Sequence, residues 1–414
     1  MMTTKTKRLI TLPLILTTLL FSVSACSNPS AVNTNKDLTE YKQGQADANK
    51  SAASTEKPAF ITKTVATFNE PWAMTALPTV NNEPPKLLVT QKTGELLIVD
   101  TVTGTKTEIA GSPKVAYGGQ GGLGDIILAP DFATSNTVYI SYVEAGKNTD
   151  DNKFGAKVIK ATLTGLDTDT PSLQAITSIW EQFPKVKGQG HYSHRLLFSP
   201  DGQYLYISSG DRQEKTPAQD MSVNLGKIIR LHTDGSVPAD NPFMNTNNDI
   251  ADQFWTTGHR NVLGMAFDEK GRLWAHEMGP RGGDEFNLIE KGKNYGWPIV
   301  SNGRNYTGTD IPDHDTRPDF AAPKITWTPV ISPSSMSIYD AGKYNDFPAW
   351  QGNALISGLS SKALIVVSFD KNNGAAERYR YDMGERIRGV LNVDGQVWLL
   401  EDGTKGRLLR LLPN

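Results

Sequence analysis

Two histidines stand close together in a short segment that could supply a general base. His191 and His194 lie in the segment 190–196, just ahead of a strand that ends in Gly210-Asp211-Arg212. A histidine before one strand and an aspartate after the next share the same rim of a hairpin. There Asp211 can orient His191 and stabilise its charged form. The alternative is a surface histidine and a turn aspartate, and spacing also leaves His194 as a competing base.

Arginines at two further places could hold an anion. Arg260 and Asn261 stand just before an apolar run, where they either bind an anionic ligand or cap a strand. Arg386 and Arg388 have the period-2 spacing that puts two guanidinium groups on one face of a strand. Two cations on one face repel each other unless an anion or an acidic partner lies between them. A bound polycarboxylate or a solvated edge face would each account for this pair.

The segment that follows the next predicted strand is rich in oxygen ligands. Gly279 and Pro280 supply backbone carbonyls, and Asp284 and Glu285 supply carboxylates. These are ligands for a hard cation, so the pattern favours calcium over zinc, although its spacing does not fit an EF-hand loop. The alternative is a turn with exposed acids.

A second loop, residues 118–125, reads GGQGGLGD and is too rich in glycine to be a strand. It also lacks the strand–helix setting of a phosphate-binding loop, which excludes a nucleotide site. Its glycines would let the backbone approach a flat ligand, with Gln120 as a polar contact.

The elements that must position these residues are short strands. A strand end, an Asp/Glu-to-Gly turn and a strand with an aromatic residue recur at 198–207, 267–274 and 393–399. Such repeats without a long amphipathic helix predict an all-β propeller, and roughly 355 residues at about 40 to 60 per blade allow six to eight blades. Two β-sandwiches would need a break in composition that the chain lacks. We expect the last strand, 406–412, to close the ring against a strand near 61–68.

The N-terminal residues predict a targeting signal and are not part of the folded domain. A basic start and the apolar run 9–23 lead to Val23-Ser24-Ala25-Cys26, which is similar to a bacterial lipobox. We therefore predict a signal peptide at 1–26 with a lipidated Cys26, a disordered tether at 27–58 and the propeller at 59–414. A plain signal peptide with a chance cysteine is the alternative. Ser27 favours an outer-membrane lipoprotein that faces the periplasm.

Composition limits the partners. The chain has 414 residues, a formal net charge of -2 and one cysteine, so it contains no disulfide and no thiolate metal site after lipidation. Near-neutral charge gives no reason to expect nucleic acid, and membrane contact is expected only through the lipid anchor. The sequence is compatible with a monomer or a homodimer.

Taken together, these phrases resemble the PQQ-dependent soluble aldose sugar dehydrogenases of the quinoprotein glucose dehydrogenase family. The resemblance covers most of residues 66–412, and the order of its motifs makes it specific. The motifs are Glu70-Pro71-Trp72, Gly119-Gln120-Gly-Gly-Leu123, His191-x-x-x-Arg195-Leu196, Ser209-Gly210-Asp211, Gly258-His-Arg-Asn261, Glu277-x-Gly279-Pro280, Asp284-Glu285-x-Asn287-Leu288, Asn294-Tyr-Gly-Trp-Pro298 and Arg386-x-Arg388.

The resemblance implies a six-bladed propeller with pyrroloquinoline quinone (PQQ) across the mouth of its channel. His191 then takes the place of the general base and Asp211 that of its charge partner, while Arg260 and Asn261 contact the quinone. The reaction is oxidation of an aldose at C1 to a lactone: the base removes the proton of the anomeric hydroxyl, C1 gives hydride to the quinone, and an external acceptor takes the electrons. Three further sets of positions match the family. Gln120, Arg386 and Arg388 then bind the polar rim and carboxylates of the cofactor. The carbonyls of Gly279 and Pro280 bind the calcium that contacts the cofactor, and Glu285 and Tyr295 match a second, structural calcium.

Three departures from the family pattern bear on the site. Gly190 stands where the better-known glucose enzymes have Asp before the base. Ser360 takes the place of a cofactor-binding lysine, with Lys362 two residues on. His194 replaces a small residue, and we expect it to narrow the pocket.

Two other functions fit a propeller with these residues. One is a calcium-dependent lactonase or hydrolase, for which the arginine pair at 386 and 388 is not needed because a lactone is neutral. The other is a non-catalytic interaction platform tethered to the membrane. Propellers host many functions, so the fold does not choose among the three.

Overall fold

Six antiparallel sheets of four strands make up the fold in a computed structural model that describes residues 60–79, 83–244 and 248–414. The first strand, β1 (Phe60–Phe68), belongs to the last sheet. Blade 1 contains β2 (Pro71–Ala76), β3 (Lys86–Gln91), β4 (Leu96–Asp100) and β5 (Lys106–Glu108). Blade 2 contains β6 (Leu123–Leu128), β7 (Thr137–Ala145), β8 (Phe154–Thr164) and β9 (Ser172–Glu181). Blade 3 contains β10 (Ser193–Phe198), β11 (Tyr204–Ser209), β12 (Lys227–His232) and β13 (Phe254–Thr257).

The second half of the chain repeats the arrangement. Blade 4 contains β14 (Val262–Phe267), β15 (Leu273–Glu277), β16 (Asp284–Ile289) and β17 (Ile325–Trp327). Blade 5 contains β18 (Pro333–Ile338), β19 (Ala354–Gly358), β20 (Ala363–Phe369) and β21 (Ala375–Asp382). Blade 6 contains β22 (Ile387–Val393), β23 (Gln396–Glu401) and β24 (Gly406–Pro413), and is completed by β1.

The first strands of the blades form a closed ring. Each of β2, β6, β10, β14 and β18 contacts the first strand of the next blade, and β22 contacts β2. The predicted closure of the last blade is confirmed, because β1 pairs antiparallel with β24 from Phe60 opposite Pro413 to Phe68 opposite Gly406. The predicted all-β, six-bladed propeller is therefore confirmed.

The hydrophobic core is divided into layers between neighbouring blades. Between blades 4 and 5, for example, Trp274 and Phe286 pack with Ile356 and Ile365. Comparable clusters lie at the other blade interfaces, including one in which Phe68 and Trp398 of blade 6 meet Val89 of blade 1. A blade of this size buries both faces only when it has neighbours on each side, so the ring is one cooperative unit.

The recurring turn motif joins the first two strands of a blade. Between β10 and β11, Ser199 Oγ and the backbone N–H of Gln203 both donate to Asp201 Oδ1, at 2.5 and 3.1 Å. Gly202 has a φ of +72°, which glycine adopts without strain. The predicted phrases at 267–274 and 393–399 likewise connect β14 to β15 and β22 to β23.

Helical structure is minor in the described part of the chain. It consists of α1 (Phe132–Ser135) and the 3₁₀ turns Asn148–Asp150, Thr216–Gln219, Ala251–Gln253, His314–Thr316 and Pro348–Trp350. None of the helices described there has the length and apolarity needed to cross a bilayer. The predicted signal peptide, Cys26 and the tether lie outside the described residues.

Candidate active site

The predicted site residues lie at one end of the ring. In each blade the start of the first strand lies beside the end of the second, as Ser193 does beside Ser209 and Val262 beside Glu277. His191, Arg260 and Arg386 precede or begin first strands, whereas Asp211 and Gly279 follow second strands. The topology therefore brings residues that are far apart in sequence to the same mouth of the channel.

A cavity of about 400 Å³ opens at this mouth. Its volume falls in the range of small-molecule sites. The predicted cofactor residues Gln120, Asn261, Arg386 and Arg388 line it, together with Trp72. His191 and Arg260 are not among the lining residues, but each is next in sequence to one, Tyr192 and Asn261 respectively.

His191 and Asp211 form the predicted pair. The Nδ1 of His191 lies 2.7 Å from Asp211 Oδ1, and both residues are buried, the aspartate completely. Burial lowers the pKa of His191 below its usual range, against the opposing hydrogen bond to Asp211. The imidazole is therefore neutral near pH 7. With Nδ1–H donated to the carboxylate, Nε2 is the free basic atom, and it has no hydrogen bond to a described residue.

The carboxylate of Asp211 is itself held in place by two donors. Trp297 Nε1 donates to Oδ2 at 2.7 Å, and the backbone N–H of Gln213 donates to Oδ1 at 2.8 Å. Gln120 fixes the backbone of the base, because its Oε1 accepts from the N–H of His191 at 2.7 Å. Trp297 was not among the predicted site residues, although it lies inside the Asn294–Pro298 motif.

His194 does not compete as the base. Its Nδ1 lies 2.7 Å from Ser141 Oγ, and its ring stacks on Trp72 with centroids 4.9 Å apart. Burial lowers the pKa of His194 to about 3. The side chain lines the cavity, and it occupies the space that a Cβ at Gly124 would need, 2.0 Å from its Cε1.

Arg260 is a buried cation without a carboxylate partner. It is 5% exposed, and no Asp or Glu side chain among the described residues forms an ion pair with it. Its Nη1 donates to the carbonyl of Met278 at 2.9 Å, and its Nε is buried with no hydrogen bond. Tyr306 OH lies 3.4 Å from Nη2. A buried guanidinium that lacks an anion favours binding one, so the capping interpretation of Arg260 is incomplete.

Arg386 and Arg388 do have an acidic partner, which the sequence did not reveal. Arg386 Nε donates to Asp402 Oδ2 at 2.9 Å, and Arg388 donates through Nε and Nη2 to Oδ1 at 2.9 and 2.8 Å. Asp402 and both arginines line the cavity. The three side chains carry one net positive charge, and the carboxylate fixes the direction of both guanidinium groups.

The loop after β15 presents free carbonyls. The oxygens of Gly279 and Pro280 accept no hydrogen bond from a described residue. Asp284 supports this loop: its Oδ1 accepts from Gly279 N at 2.8 Å, and its Oδ2 accepts from Ile331 N and Ser332 N at 2.8 and 2.7 Å. Burial raises the pKa of Asp284 to about 7. The alternative of a turn with exposed acids is wrong, because Asp284 and Glu285 are both buried. Three backbone donors occupy the carboxylate of Asp284.

Glu285 and Tyr295 lie behind the cavity rather than in it. Glu285 is paired across the strands with Glu277, and burial together with that neighbour raises the pKa of Glu285 well above its usual range. The phenol of Tyr295 donates to the carbonyl of Leu288 and accepts from the N–H of Glu290. The backbone oxygen of Tyr295 lies 3.1 Å from His314 Nε2, so a cation there would use the second lone pair of that oxygen. Two like charges directly opposite on neighbouring strands destabilise a sheet unless a cation or a proton is shared.

Side chains alone do not form a metal site in the described part of the chain. No group of three or more His, Cys, Asp or Glu residues there is arranged to hold a metal ion. A cation at either predicted position would therefore need backbone oxygens, as hard cations accept.

The sequence profile of the Glucose / Sorbosone dehydrogenase family matches residues 68–410. The chain belongs to this family. The aldose sugar dehydrogenase YliI of Escherichia coli is 36% identical over 353 residues, 84% of this chain and 91% of the relative.

Solved structures of the family agree in fold. The apo-form of the soluble aldose sugar dehydrogenase from Escherichia coli superposes with a TM-score of 0.77 at 35% identity, covering 86% of this chain and 100% of that one. The PQQ-bound aldose sugar dehydrogenase from Streptomyces coelicolor gives a TM-score of 0.68 at 28% identity, covering 86% and 99%. The predicted family membership is confirmed.

Two positions near the site follow only from the structure. Lys362 points to the neighbouring loop, where its Nζ donates to the carbonyl of Gly384 at 2.9 Å, and it does not line the cavity. Leu359 and Ser332 line that side of the cavity instead. Tyr306, 73% exposed beside Arg260, lies in a loop whose sequence carried no signal.

Proposed function

We propose that this protein oxidises aldose sugars at C1 to lactones, with PQQ bound in the cavity at the channel mouth and calcium at the loop after β15. The observation that carries the proposal is that a neutral, buried His191 bonded to the carboxylate of Asp211 occurs together with a buried Arg260 that lacks an anion. Removal of a hydroxyl proton requires a base such as His191. Negative charge that develops on a cofactor requires a fixed positive charge such as Arg260.

The residues present fit both groups. Arg260, Arg386 and Arg388 offer guanidinium donors to a planar polycarboxylate, and Gln120 and Asn261 offer amides. The free carbonyls of Gly279 and Pro280 would hold the first calcium. Glu285 and the backbone oxygen of Tyr295 would hold a second, where it would relieve the repulsion between Glu277 and Glu285. When bound, PQQ would supply a two-electron acceptor and the first calcium a Lewis acid beside it.

The protein side of the reaction follows from the dyad. Nε2 of His191 takes the proton of the anomeric hydroxyl, and Asp211 holds the tautomer that leaves this atom free. The carboxylate also stabilises the imidazolium that results. Arg260 fixes positive charge near His191 without reorganisation during the reaction, since its Nη1 is anchored on Met278 O. An external acceptor must then reoxidise the enzyme.

An absorbance titration of the lipid-free protein tests this function. PQQ is added with calcium, then with EDTA, and finally an aldose is added under anaerobic conditions. We expect calcium-dependent binding and a reduced-quinone spectrum on adding sugar. His191→Ala should bind PQQ but reduce it at least about 100-fold more slowly.

The other possible results of this titration would each support a different function. If PQQ does not bind when calcium is present, the dehydrogenase proposal fails. Lactone hydrolysis that needs calcium and His191 would then support the lactonase, and absence of both activities would support the interaction platform.

We further propose that the protein crosses the inner membrane and is anchored to the outer membrane through a lipid on Cys26, facing the periplasm. The support is the Val23–Cys26 motif and the absence of any other cysteine. In cells fed a labelled fatty acid, the wild type should carry label in the outer-membrane fraction. Cys26→Ser should carry none, and label that persists in this variant would contradict the proposal.

A further inference from the structure

One buried lysine lies outside the cavity and takes no part in the proposed chemistry. Lys227 is the first residue of β12, is completely buried, and forms no ion pair with an Asp or Glu side chain among the described residues. Its Nζ donates to three backbone carbonyls: Pro217 O at 2.7 Å, Leu225 O at 2.8 Å and Ala218 O at 3.2 Å. Three donors on one atom require the protonated ammonium, although burial lowers the pKa of this lysine to about 7.

Two of the three carbonyls belong to the 3₁₀ turn Thr216–Gln219, so the lysine holds this turn against β12. Buried carbonyl oxygens that converge on one point are unfavourable unless a donor group lies between them. Lysine suits this position because it carries three N–H groups on a single atom, whereas the planar fork of arginine directs its donors apart. We therefore expect the position of the turn to depend on Lys227.

Gln219, the last residue of the turn, holds the tryptophan that supports the base. Its Nε2 donates to Trp297 O at 2.7 Å, and its Oε1 accepts from Asn294 Nδ2 at 2.7 Å. Ala218 packs in one apolar cluster with the side chain of Trp297. Because Trp297 Nε1 donates to Asp211 Oδ2, a displaced turn would also displace the donor to that carboxylate.

The same turn supports the segment that carries Arg260. The carbonyl of Ala218 accepts from Gly258 N at 3.0 Å as well as from Lys227 Nζ. Gly258 O in turn accepts from Trp297 N at 3.0 Å. Gly258 stands two residues before Arg260, so one carbonyl joins the buried lysine to the backbone that sets the position of this cation.

We propose that Lys227 is a positioning residue for the reaction: through the turn 216–219 it sets both the carboxylate partner of His191 and the segment that carries Arg260. It does so without contacting substrate or cofactor. This inference rests on the proposed function and extends the machinery of that reaction to a residue outside the cavity. A misplacement of about 1 Å at a distance from the reacting groups can cost on the order of 100-fold in rate.

The pKa of His191 reports on the first of these two connections without any turnover. It can be measured in cofactor-free protein from the ring Cε1–H signal in NMR spectra between about pH 4 and 7, with His191→Ala to assign the signal. The charged groups that face His191 are Asp211, Arg212 and Arg260. All three remain in the test variants, so a change in this pKa reports on the arrangement of the site.

Gln219→Met keeps the lysine and its three carbonyls but removes the amide that holds Trp297. Asp211 then loses a donor, and its carboxylate stabilises the imidazolium more strongly. The pKa of His191 should therefore rise by at least about 0.5 in this variant. Lys227→Met should produce the same rise, because it displaces the turn that carries Gln219.

The affinity for PQQ reports on the second connection. In the presence of calcium, cofactor-free Lys227→Met should bind PQQ at least about fivefold more weakly by fluorescence quenching, because the segment with Arg260 is displaced. Gln219→Met should bind PQQ as the wild type does, since the bond between Ala218 O and Gly258 N remains. In both variants kcat on an aldose should fall by about tenfold or more.

Lys106→Met is the matched control. Lys106 donates to a single backbone carbonyl, Thr67 O, at 2.8 Å, and its Nζ lies 5.2 Å from the ring of Phe68. Lys227 lies at the same distance from a phenylalanine ring, but Lys106 is exposed on β5 and does not line the cavity. The control should change neither the pKa of His191 nor the affinity for PQQ.

If Lys227→Met lowers the unfolding midpoint but leaves both the pKa of His191 and the affinity for PQQ at their wild-type values, the lysine only stabilises the fold and the proposal is wrong. If Lys227→Met does not fold, Gln219→Met decides, and an unchanged pKa of His191 in that variant overturns the proposal. Aldose oxidation by the wild type without these shifts would refute the positioning role and leave the proposed function standing. The shifts without aldose oxidation would refute the proposed function and leave the positioning role.

Discussion

At the scale of single residues, the site depends on which hydrogen-bond donors each of its carboxylates accepts from. Asp211 accepts from the indole of Trp297 and from Gln213 while it holds His191. Asp402 is divided between Arg386 and Arg388. Arg260, by contrast, has no carboxylate partner in the described residues. That difference identifies Arg260 as the position where a ligand would supply negative charge.

Removing the indole donor from Asp211 should move the pH dependence of the reaction. In Trp297→Phe the carboxylate loses one hydrogen bond, so it stabilises the imidazolium of His191 more strongly and raises the pKa of that histidine. Since only neutral His191 accepts a proton, the acid limb of kcat/KM should move to higher pH, with kcat reduced by about tenfold as the aspartate is less well held. Pre-steady-state rates from pH 5 to 9 measure both effects.

The matched control is Trp180→Phe, which removes a buried indole that donates to Gln253 Oε1 at 3.1 Å away from the cavity. It should cost stability but leave the acid limb in place. An acid limb that does not move in Trp297→Phe would show that the indole only packs against Asp211.

At the scale of elements, the loops that follow second strands need bracing from neighbouring blades. The clearest example is the loop after β15. Asp284 accepts one N–H group from this loop, that of Gly279, and two from the residues before β18, those of Ile331 and Ser332. Because it holds the loop that carries Gly279 and Pro280, Asp284 would support the proposed calcium without contacting it.

Asp284→Asn should therefore weaken calcium binding. The amide replaces one acceptor oxygen with a donor, which would face at least one backbone N–H group and leave it unsatisfied at about 1–3 kcal/mol. We expect a lower unfolding midpoint and at least about tenfold weaker calcium binding by calorimetry. Asp370→Asn is the control, since Asp370 accepts from backbone N–H groups in an exposed turn. Unchanged calcium affinity in Asp284→Asn would argue against the loop as a calcium site.

At the scale of the whole molecule, one side chain links the blades across the channel. Arg195 of β10 bonds Asp125 of blade 2 at 3.2 Å, the carbonyl of Leu263 of blade 4 at 2.7 Å and the carbonyl of Ser334 of blade 5 at 2.9 Å. Its guanidinium also lies 3.9 Å from the ring of Trp72, in blade 1. Arg195 thus joins five of the six blades.

Arg195→Met should destabilise the whole ring rather than one blade. It leaves the carboxylate of Asp125 buried without its partner, and breaking such a pair costs about 3–5 kcal/mol. Chemical denaturation followed by tryptophan fluorescence should show a lower midpoint with a single transition. Arg317→Met, which removes the exposed ion pair with Asp319, should cost no more than about 1 kcal/mol. A loss as small as that control in Arg195→Met would show that the channel is held by strand packing alone.

The sequence by itself determined the parts of this protein that depend on near neighbours. Strand–turn–strand phrases predicted the blades, because a hairpin is specified by alternation and by its turn residues. The pairing of neighbouring strands also predicted that His191 and Asp211 would be in contact, since they lie at adjacent ends of two paired strands. The order of the motifs indicated the family, and Arg386 and Arg388 were correctly placed on one face.

Only the tertiary structure decided which distant groups complete the site. Asp402 lies between the arginines, Trp297 donates to Asp211, Asp284 supports a loop and the ring of His194 stacks on Trp72. None of these contacts follows from spacing. Each depends on how loops of different blades converge when the ring closes, and the closing forces are non-directional hydrophobic contacts between blades. Arg195 shows the limit most clearly: its sequence position predicts a strand residue, while its partners lie up to 139 residues away.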